Sequence, residues 1–210
     1  LPVMPEAVVF TKLNPLEDIA EADMETAAEK SVHASLAALG LKALPYLLLH
    51  RAAHVQAAGG KIWQALLRLR REGAIERLGI SVQSPEEALM ALRLPEVESI
   101  QLPFNLLDKR YAQAGIPALL EQRPEVLVMA RSILLQGVLT QEAGRWPVLP
   151  PQQACAVTQA LDEWVMRFKR KNRVDLCLAY VRAQPWIDTV VVGMESRPQL
   201  IGHPVNPLVV

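Results

Sequence analysis

Two side chains that can do chemistry come directly at the ends of apolar runs. Lys12 closes a β-branched run that begins at Ala7, and His50 is the first polar residue after the run 44–49. In parallel α/β folds the carboxyl ends of the strands carry the reacting groups, because loops and helix N-termini converge there. A lysine and a histidine at two such ends are therefore placed where reacting groups would lie. The alternatives that need no function are a rim lysine with a solvated head and a capping histidine.

The elements that position these residues follow from the pattern of apolar runs and helical spacing. Strands are predicted at 7–12, 44–50, 78–81, 99–103, 125–130 and 189–192. Helices are predicted at about 22–39, 61–72, 85–94, 116–122, 152–170 and 174–183. The third of these helices has a clear start, with Ser84 as N-cap, Pro85 in the first turn and Glu87 as in a capping box.

The repeated order of strand then helix predicts an α/β fold with a parallel sheet and helices outside it. No Gly-x-Gly-x-x-Gly follows the first strand, which argues against a doubly wound dinucleotide-binding fold. We therefore predict a (β/α)8 TIM barrel, with residues 1–210 as one domain. Such barrels typically need about 200–250 residues or more, so six units in this length suit a barrel whose first two strands are absent. The opening at Leu1, with no methionine and no lead-in to a strand, favours the same view.

Composition excludes several classes of function. The 22 basic and 22 acidic side chains give no net charge, which argues against a nucleic-acid binder that must neutralise phosphates. No apolar run is long enough for a membrane span, and no signal peptide is apparent. Two separated cysteines, Cys155 and Cys177, suggest neither a disulfide framework nor a metal site. A cytoplasmic location is the default expectation.

Six segments, taken in order, carry motifs of one known family. The first three are Val8-Val9-Phe10-Thr11-Lys12, Ser35-Leu36 through Leu47-Leu48-Leu49-His50, and Trp63 through Arg77-Leu78-Gly79-Ile80-Ser81. The last three are Ile100-Gln101 through Asp108, Ala130-Arg131-Ser132 through Gly137, and Val192-Gly193 through Leu200. Together they resemble the third to eighth strands of the aldo-keto reductase superfamily, although any one motif alone would be a weak signal.

The resemblance implies an oxidoreductase that passes a hydride from NADPH to an aldehyde or ketone. The hydride leaves negative charge on the carbonyl oxygen, so a group must donate a proton or hydrogen bonds there. In the family a tyrosine is the acid, a lysine lowers its pKa, an aspartate pairs with the lysine, and a histidine orients the carbonyl. Lys12 and His50 match the lysine and the histidine, and are the predicted catalytic residues. The aspartate and the tyrosine lie upstream in the family, and residues 1–11 contain neither type.

Neither of two other tyrosines is expected to replace the missing acid. Tyr46 shares a strand face with His50, but at about 3.3 Å per residue it lies roughly 13 Å down the strand. We expect Tyr46 to pack in the barrel interior. Tyr111 follows the sixth strand of the family pattern, and nothing in the sequence suggests it as the acid.

The resemblance also implies a set of cofactor-binding residues. Ser81 and Gln101 match positions that hydrogen-bond the nicotinamide amide, and the guanidinium plane of Arg131 would stack on the ring. The loop that contains Ser132, Leu134 and Gly137 would offer backbone N–H groups to the pyrophosphate. Near the adenosine end the matching residues are Gly193, Ser196, Arg197 and Gln199. NADP is favoured over NAD because Arg197 can replace the basic residues of the family, although Glu195 would repel the phosphate.

Two further hypotheses come from other functional classes. Val82, Ile133 and Gly193 depart from the family pattern, which leaves open a non-catalytic barrel that binds nucleotide as a sensor or subunit. A Schiff-base aldolase that uses Lys12 is the third, and it needs an apolar pocket that lowers the pKa of the amine. For the reductase, the predicted partner is a small-molecule carbonyl compound, with no nucleic acid and no membrane. The sequence does not predict which carbonyl compound.

Overall fold

The computed structural model describes residues 7–147, 149–193 and 197. The strands are β1 Phe10–Lys12, β2 Leu44–Leu49, β3 Ile75–Ser81, β4 Val97–Pro103, β5 Leu127–Arg131 and β6 Thr189–Val190. The helices are α1 Met24–Leu39, α2 Lys61–Arg71, α3 Pro85–Leu92, α4 Arg110–Gln113, α5 Ile116–Leu120, α6 Pro151–Arg167 and α7 Arg173–Arg182. Each predicted strand and helix is therefore present, while β1 and β6 are shorter than predicted and α4 is additional.

The described strands form one all-parallel sheet of six strands in the order β1-β2-β3-β4-β5-β6. Each strand pairs with the next strand along the chain, without the reversal of order that marks a doubly wound sheet. The sheet is curled as half of a barrel. The prediction of an α/β fold with a parallel sheet is thus confirmed. Closure of the barrel by eight strands, the absence of its first two strands, and a single domain over 1–210 stay predictions.

The outer face of the sheet carries the main core. Side chains that alternate along each strand point outward and pack against the helices, among them Leu47, Leu49, Ile80, Ile100 and Val128. Full burial of one such side chain contributes about 1.5–3 kcal/mol. The other face of these strands is also covered. Because both faces are buried, the strands are continuous apolar runs rather than alternating apolar and polar residues.

The concave face has a smaller apolar cluster that contains Tyr46, Leu48 and Met129. The ring of Tyr46 stacks on Phe10 at 4.3 Å between ring centroids, and its hydroxyl accepts a hydrogen bond from Arg77. Tyr46 is only 5% exposed, so the prediction that it packs in the interior is confirmed. Its hydroxyl is engaged away from the carboxyl ends of the strands.

Gly79 lets β2, β3 and β4 approach closely on the concave face. A Cβ at this position would lie 2.0 Å from Ser99 Oγ, 2.7 Å from the Ser99 carbonyl oxygen and 3.1 Å from Leu48 Cγ. Separations below 3 Å from a backbone oxygen cannot be relieved by a change of rotamer. The glycine is therefore required by close packing rather than by a turn.

Helix ends follow the predicted signals where those signals exist. Ser84 Oγ accepts a hydrogen bond from the Glu87 N–H at 3.3 Å, as expected for an N-cap. Helix α1 ends at Gly40 in the left-handed conformation, with Leu41 N–H donating to the Leu36 carbonyl. Within the described residues, none of the helices combines the length and the apolar character that a membrane crossing requires.

Candidate active site

Lys12 ends β1 on the concave face and reaches across the neighbouring strand. Its backbone is in register with Leu48 of β2, and its Nζ donates a hydrogen bond to Ser81 Oγ of β3 at 3.4 Å. A lysine has four side-chain carbons before the ammonium, so it can span one strand and present its charge at the end of the next. The half-buried Lys12 is thus held over the carboxyl ends of the strands.

His50 comes directly after β2 at the same end of the sheet. Leu49 pairs with Ile80, so His50 and Ser81 are the next residues of two adjacent strands. Since Lys12 reaches Ser81, the structure brings Lys12, His50 and Ser81 together, and we call this region of the concave face the mouth. The Nδ1 atom of His50 is buried and has no hydrogen-bond partner among the described residues.

The mouth is electrostatically unfavourable for a protonated lysine. Burial is the main cause that lowers the pKa of Lys12, and the positive charge of Arg131 lowers it further. The lowered pKa makes the Lys12 ammonium a stronger hydrogen-bond and proton donor than a solvated lysine. It also raises the fraction of neutral amine at a given pH.

Arg131 closes the mouth from the opposite side. It ends β5, and its Nη2 donates to the Val82 carbonyl oxygen while its Nη1 donates to Ser132 Oγ, both at 3.2 Å. These bonds hold the guanidinium between the ends of β3 and β5. Burial lowers the pKa of Arg131, although an arginine stays charged at neutral pH.

Ser81 and Gln101 form a polar pair within the mouth. They are opposite each other in the register of β3 and β4, and both are buried. The Gln101 carbonyl accepts from Val82 N–H at 2.8 Å, but the Gln101 amide forms no hydrogen bond with a described residue. Its donor and acceptor are thus available to a polar ligand such as a carboxamide.

The loop after β5 has the geometry of an anion-binding turn. Ser132, Leu135, Gln136 and Gly137 all have left-handed backbone, with φ from 49° to 86°. The N–H groups of Ser132, Leu134 and Gln136 have no hydrogen-bond partner in the described part of the chain. Successive N–H groups in left-handed and right-handed combinations make a concavity that binds anions.

The predicted residues at the adenosine end are not all tested. Gly193 lies just beyond β6 and is exposed, and Arg197 is exposed. Ser196 and Gln199 lie outside the described residues. The structure therefore brings together the residues from β1 to β5, while the predicted set after β6 stays a prediction.

His54 is a residue of the mouth's rim that the sequence analysis missed. It lies in the short 3-10 helix Ala52–Val55, is 6% exposed, and its Nδ1 has no partner among the described residues. Burial lowers the pKa of His54, Glu17 opposes this, and the nearby His50 and Arg51 lower it further. The signal in the sequence was a second histidine four residues after His50, within the alanine-rich segment 51–60.

Tyr111 is poorly suited to donate a proton. It lies in α4, is fully buried, and its hydroxyl has no partner among the described residues. Burial raises the pKa of this hydroxyl well above its ordinary value. A hydroxyl with a raised pKa is a poorer acid, so the structure adds no reason to assign Tyr111 as the acid.

A family model for the aldo/keto reductase family matches residues 4–202, which is nearly the whole chain. The protein belongs to the aldo/keto reductase family. A relative named "Uncharacterized oxidoreductase YqkF" from Bacillus subtilis (strain 168) is 26% identical over 144 residues, covering 65% of this chain and 46% of the relative. This chain therefore spans less than half the length of that relative.

Solved structures of aldo-keto reductases share the fold. The holo form of AKR11C1 from Bacillus halodurans has a TM-score of 0.71 and 22% identity, over 93% of this chain and 65% of that one. The glycerol dehydrogenase AKR11B4 from Gluconobacter oxydans has a TM-score of 0.67 and 19% identity, over 85% of this chain and 57% of that one. In this member of the family the half barrel is the part of the fold that presents Lys12 and His50.

Proposed function

We propose that the protein catalyses the NAD(P)H-dependent reduction of an aldehyde or ketone to an alcohol, with a small-molecule carbonyl compound as substrate. The observation that carries this proposal is the convergence of Lys12 and His50 in the mouth. Family membership supports the same reaction class. Because the chain covers only part of its relatives, the substrate and the activity of the whole protein belong to the proposal.

The residues of the mouth fit a pyridine dinucleotide. The free amide of Gln101 and the hydroxyl of Ser81 are suited to the nicotinamide carboxamide, and Arg131 offers a planar face beside them. The unpaired N–H groups of the loop 132–137 are suited to the pyrophosphate. The groups suited to the carboxamide thus lie in the mouth and those suited to the pyrophosphate lie in the loop after β5, which is the order of these parts along a dinucleotide.

The chain's own part in the reaction is to stabilise and protonate an oxygen. The bound dinucleotide supplies the hydride, which leaves negative charge on the carbonyl oxygen. The ammonium of Lys12 donates a hydrogen bond to that oxygen, and its lowered pKa strengthens the donation. The imidazole of His50 orients the carbonyl beside it, and the half-buried setting reduces competition from water.

The immediate proton donor is not a tyrosine of the described chain. The hydroxyl of Tyr46 accepts a hydrogen bond from Arg77, Tyr111 is buried within α4, and Tyr180 lies on α7. Among the described residues, Lys12 and His50 are the donors that fit the mouth. A tyrosine and an aspartate upstream of the lysine strand remain what the family resemblance implies.

For the cofactor we propose NADP, with NAD as the second choice. Arg197 is exposed beyond β6, where a cation can bind the 2′-phosphate. Gly193, Ser196 and Gln199 complete the proposed adenosine end.

Two measurements test the proposal. Binding is measured by titrating the protein with NADPH and recording the fluorescence of the nucleotide. Turnover is measured as the loss of NADPH absorbance that depends on an added aldehyde. We expect saturable binding and turnover, with turnover lost and binding kept in Lys12→Met. Binding without turnover in both proteins would favour the non-catalytic nucleotide binder. Absence of any dinucleotide binding would overturn the proposal.

The lowered pKa of Lys12 also favours one alternative reaction. A neutral amine can attack a carbonyl carbon and lose water to give an imine, as in a Schiff-base aldolase. Borohydride reduces such an imine to a stable secondary amine, which mass spectrometry locates. Trapping at Lys12 with an aldehyde and no dinucleotide would support the aldolase, whereas an unmodified Lys12 supports the reductase.

A further inference from the structure

A pocket that none of the proposed active-site residues lines lies on the helical side of the fold. It has a volume of about 490 Å³ and is formed by the segment after β4, the end of α6 and the face of α7. Its lining residues are Leu106, Lys109, Trp164, Phe168, Arg170, Leu176, Ala179, Tyr180 and Ala183. Pockets for small molecules typically have volumes of about 300–1,000 Å³, so the size suits a small ligand.

The walls of this pocket are apolar, and its only charged lining residues are cations. Trp164, Leu176 and Tyr180 continue into a separate apolar cluster between α6 and α7. Lys109 and Arg170 are exposed at its rim, and no acidic residue lines it. Neither cation forms an ion pair with any residue that the structure describes.

A local excess of positive charge surrounds the same rim. Arg167 ends α6, and the connection to α7 contains Lys169, Arg170 and Lys171. None of these four side chains has an ion-pair partner within the described ranges. By contrast Arg173, a few residues on, is paired with Asp162 at 2.6 Å. In a chain with no net charge, unpaired cations concentrated at one apolar pocket favour an anionic ligand.

Apolar groups are exposed beside these cations. Phe168 is 55% exposed and Met166 is 71% exposed. Phe168 lines the pocket, so part of this apolar surface faces the cavity rather than open solvent. A ligand that covers it would gain hydrophobic contact in addition to charge pairing.

The turn that places Arg170 at the rim has a defined geometry. Helix α6 ends with Lys169 in the left-handed conformation at φ 53°. Lys169 N–H donates to the Met166 carbonyl at 3.1 Å and Arg170 N–H to the Val165 carbonyl at 2.9 Å, which is a Schellman motif. The rim is therefore built by an ordered turn rather than by an unstructured loop.

We propose that this pocket binds a single anionic amphiphile, an aliphatic carboxylate whose tail lies against Trp164, Leu176 and Tyr180. The guanidinium of Arg170 binds the carboxylate as a bidentate partner, and Lys109 adds a second charge. A polyanion such as nucleic acid would leave the apolar walls unused, and a flat bilayer would not fill a cavity. The site does not depend on the proposed reductase activity.

Decanoate below its micelle concentration is the probe, with binding followed by isothermal titration calorimetry. We expect saturable binding, and we expect decanol, which has the same tail and no charge, to bind more weakly. Arg170→Gln and Lys109→Gln should each weaken decanoate binding by about tenfold, the change that corresponds to 1.4 kcal/mol for a charged hydrogen bond. The decanoate affinity of Arg170→Lys should lie between those of the unsubstituted protein and Arg170→Gln, because lysine keeps the charge and loses the bidentate geometry.

The control is Lys171→Gln, which removes a charge from the same turn without removing a lining group. It should change decanoate affinity by less than about twofold, since exposed charges a few residues away are screened. Ala179→Phe fills the pocket and should abolish binding, and circular dichroism shows whether this variant remains folded. If it unfolds, the two charge variants and the decanol comparison still decide the proposal.

Three outcomes would overturn this site. Equal binding of decanol and decanoate, unchanged by Arg170→Gln and Lys109→Gln, would show that the cations take no part. Equal loss in Lys171→Gln would show a diffuse charge effect rather than a pocket. Binding to vesicles of phosphatidylglycerol without binding to decanoate monomers would show a membrane-surface patch instead.

Discussion

The Nζ of Lys12 and the Oγ of Ser81 lie 3.4 Å apart although 69 positions separate the two residues in the chain. The contact crosses β2, so it exists only because β1, β2 and β3 are parallel neighbours with their carboxyl ends at one edge. It joins a residue proposed for catalysis to one proposed for cofactor binding. Substitutions in the mouth can therefore separate turnover from dinucleotide binding.

We expect Lys12→Met to reduce turnover of an aldehyde by at least about 100-fold. This value is the lower end of the rate loss that follows removal of a group that transfers a proton. Dinucleotide affinity should change by less than about threefold, since methionine keeps the length of the side chain without its charge. Steady-state rates and NADPH fluorescence titrations measure the two effects. Lys61→Met, at the exposed start of α2, is the matched control and should alter neither.

The pH dependence of turnover tests the repulsion between Arg131 and Lys12. If the Lys12 ammonium donates to the oxygen, the rate falls as pH rises through the lowered pKa of Lys12. Arg131→Gln removes a positive charge that disfavours the ammonium, so the pKa of Lys12 rises. The falling limb of the pH profile should then move to higher pH, measured as kcat against pH at saturating substrate. A shift in the opposite direction would contradict the assigned cause.

Some of this site was predictable from the sequence and some was not. Lys12 and His50 were found because each follows a buried apolar run, and the period of a strand fixes which face they share. The contact of Lys12 with Ser81 was not predictable, since it depends on the register of two strand pairs and on the reach of a long side chain. His54 was missed because a 3-10 turn between alanines has no periodic pattern.

The end of α6 shows a different limit. The helix was predicted to continue to residue 170, but it ends at Arg167 with Lys169 in the left-handed conformation. Glycine or asparagine is the usual signal for such an end, and lysine is not. The pocket at this turn was therefore not predictable from the sequence, because the predicted helix ran through the turn.

The choice between NADP and NAD can be tested at Arg197. We expect Arg197→Gln to weaken NADPH binding by about tenfold, as for loss of one charged hydrogen bond to a phosphate, and to leave NADH binding unchanged. Fluorescence titrations with the two nucleotides give the ratio directly. Arg182→Gln, an exposed arginine at the end of α7, is the control. An equal loss for both nucleotides would contradict a 2′-phosphate contact.

His54 should make stability depend on pH in the acid range. Its pKa is lowered in the folded state, so the unfolded state binds more protons between the folded and the unfolded pKa values. The free energy of unfolding should therefore fall as pH decreases below the unfolded value of about 6.5, and level off below the folded pKa. Urea unfolding at several pH values measures this slope.

The control for that experiment compares two histidines. His54→Gln should reduce the pH slope, because glutamine does not titrate. His33→Gln is the matched variant, at an exposed position of α1. A slope reduced by His33→Gln and kept in His54→Gln would show that burial of His54 is not its source.

Gly79→Ala should destabilise the fold by about 3 kcal/mol or more, at the upper end of the cost of inserting an atom into a packed interior. The new Cβ would lie 2.7 Å from the Ser99 carbonyl oxygen, so β3 and β4 must separate where Ser81 and Gln101 are paired. Gly144→Ala is the control, because nothing lies within 4 Å of a Cβ there, and it should change stability by less than about 0.5 kcal/mol. Urea unfolding gives both values. Equal changes in the free energy of unfolding for the two substitutions would contradict the close approach of β3 and β4 that places Ser81 opposite Gln101 in the mouth.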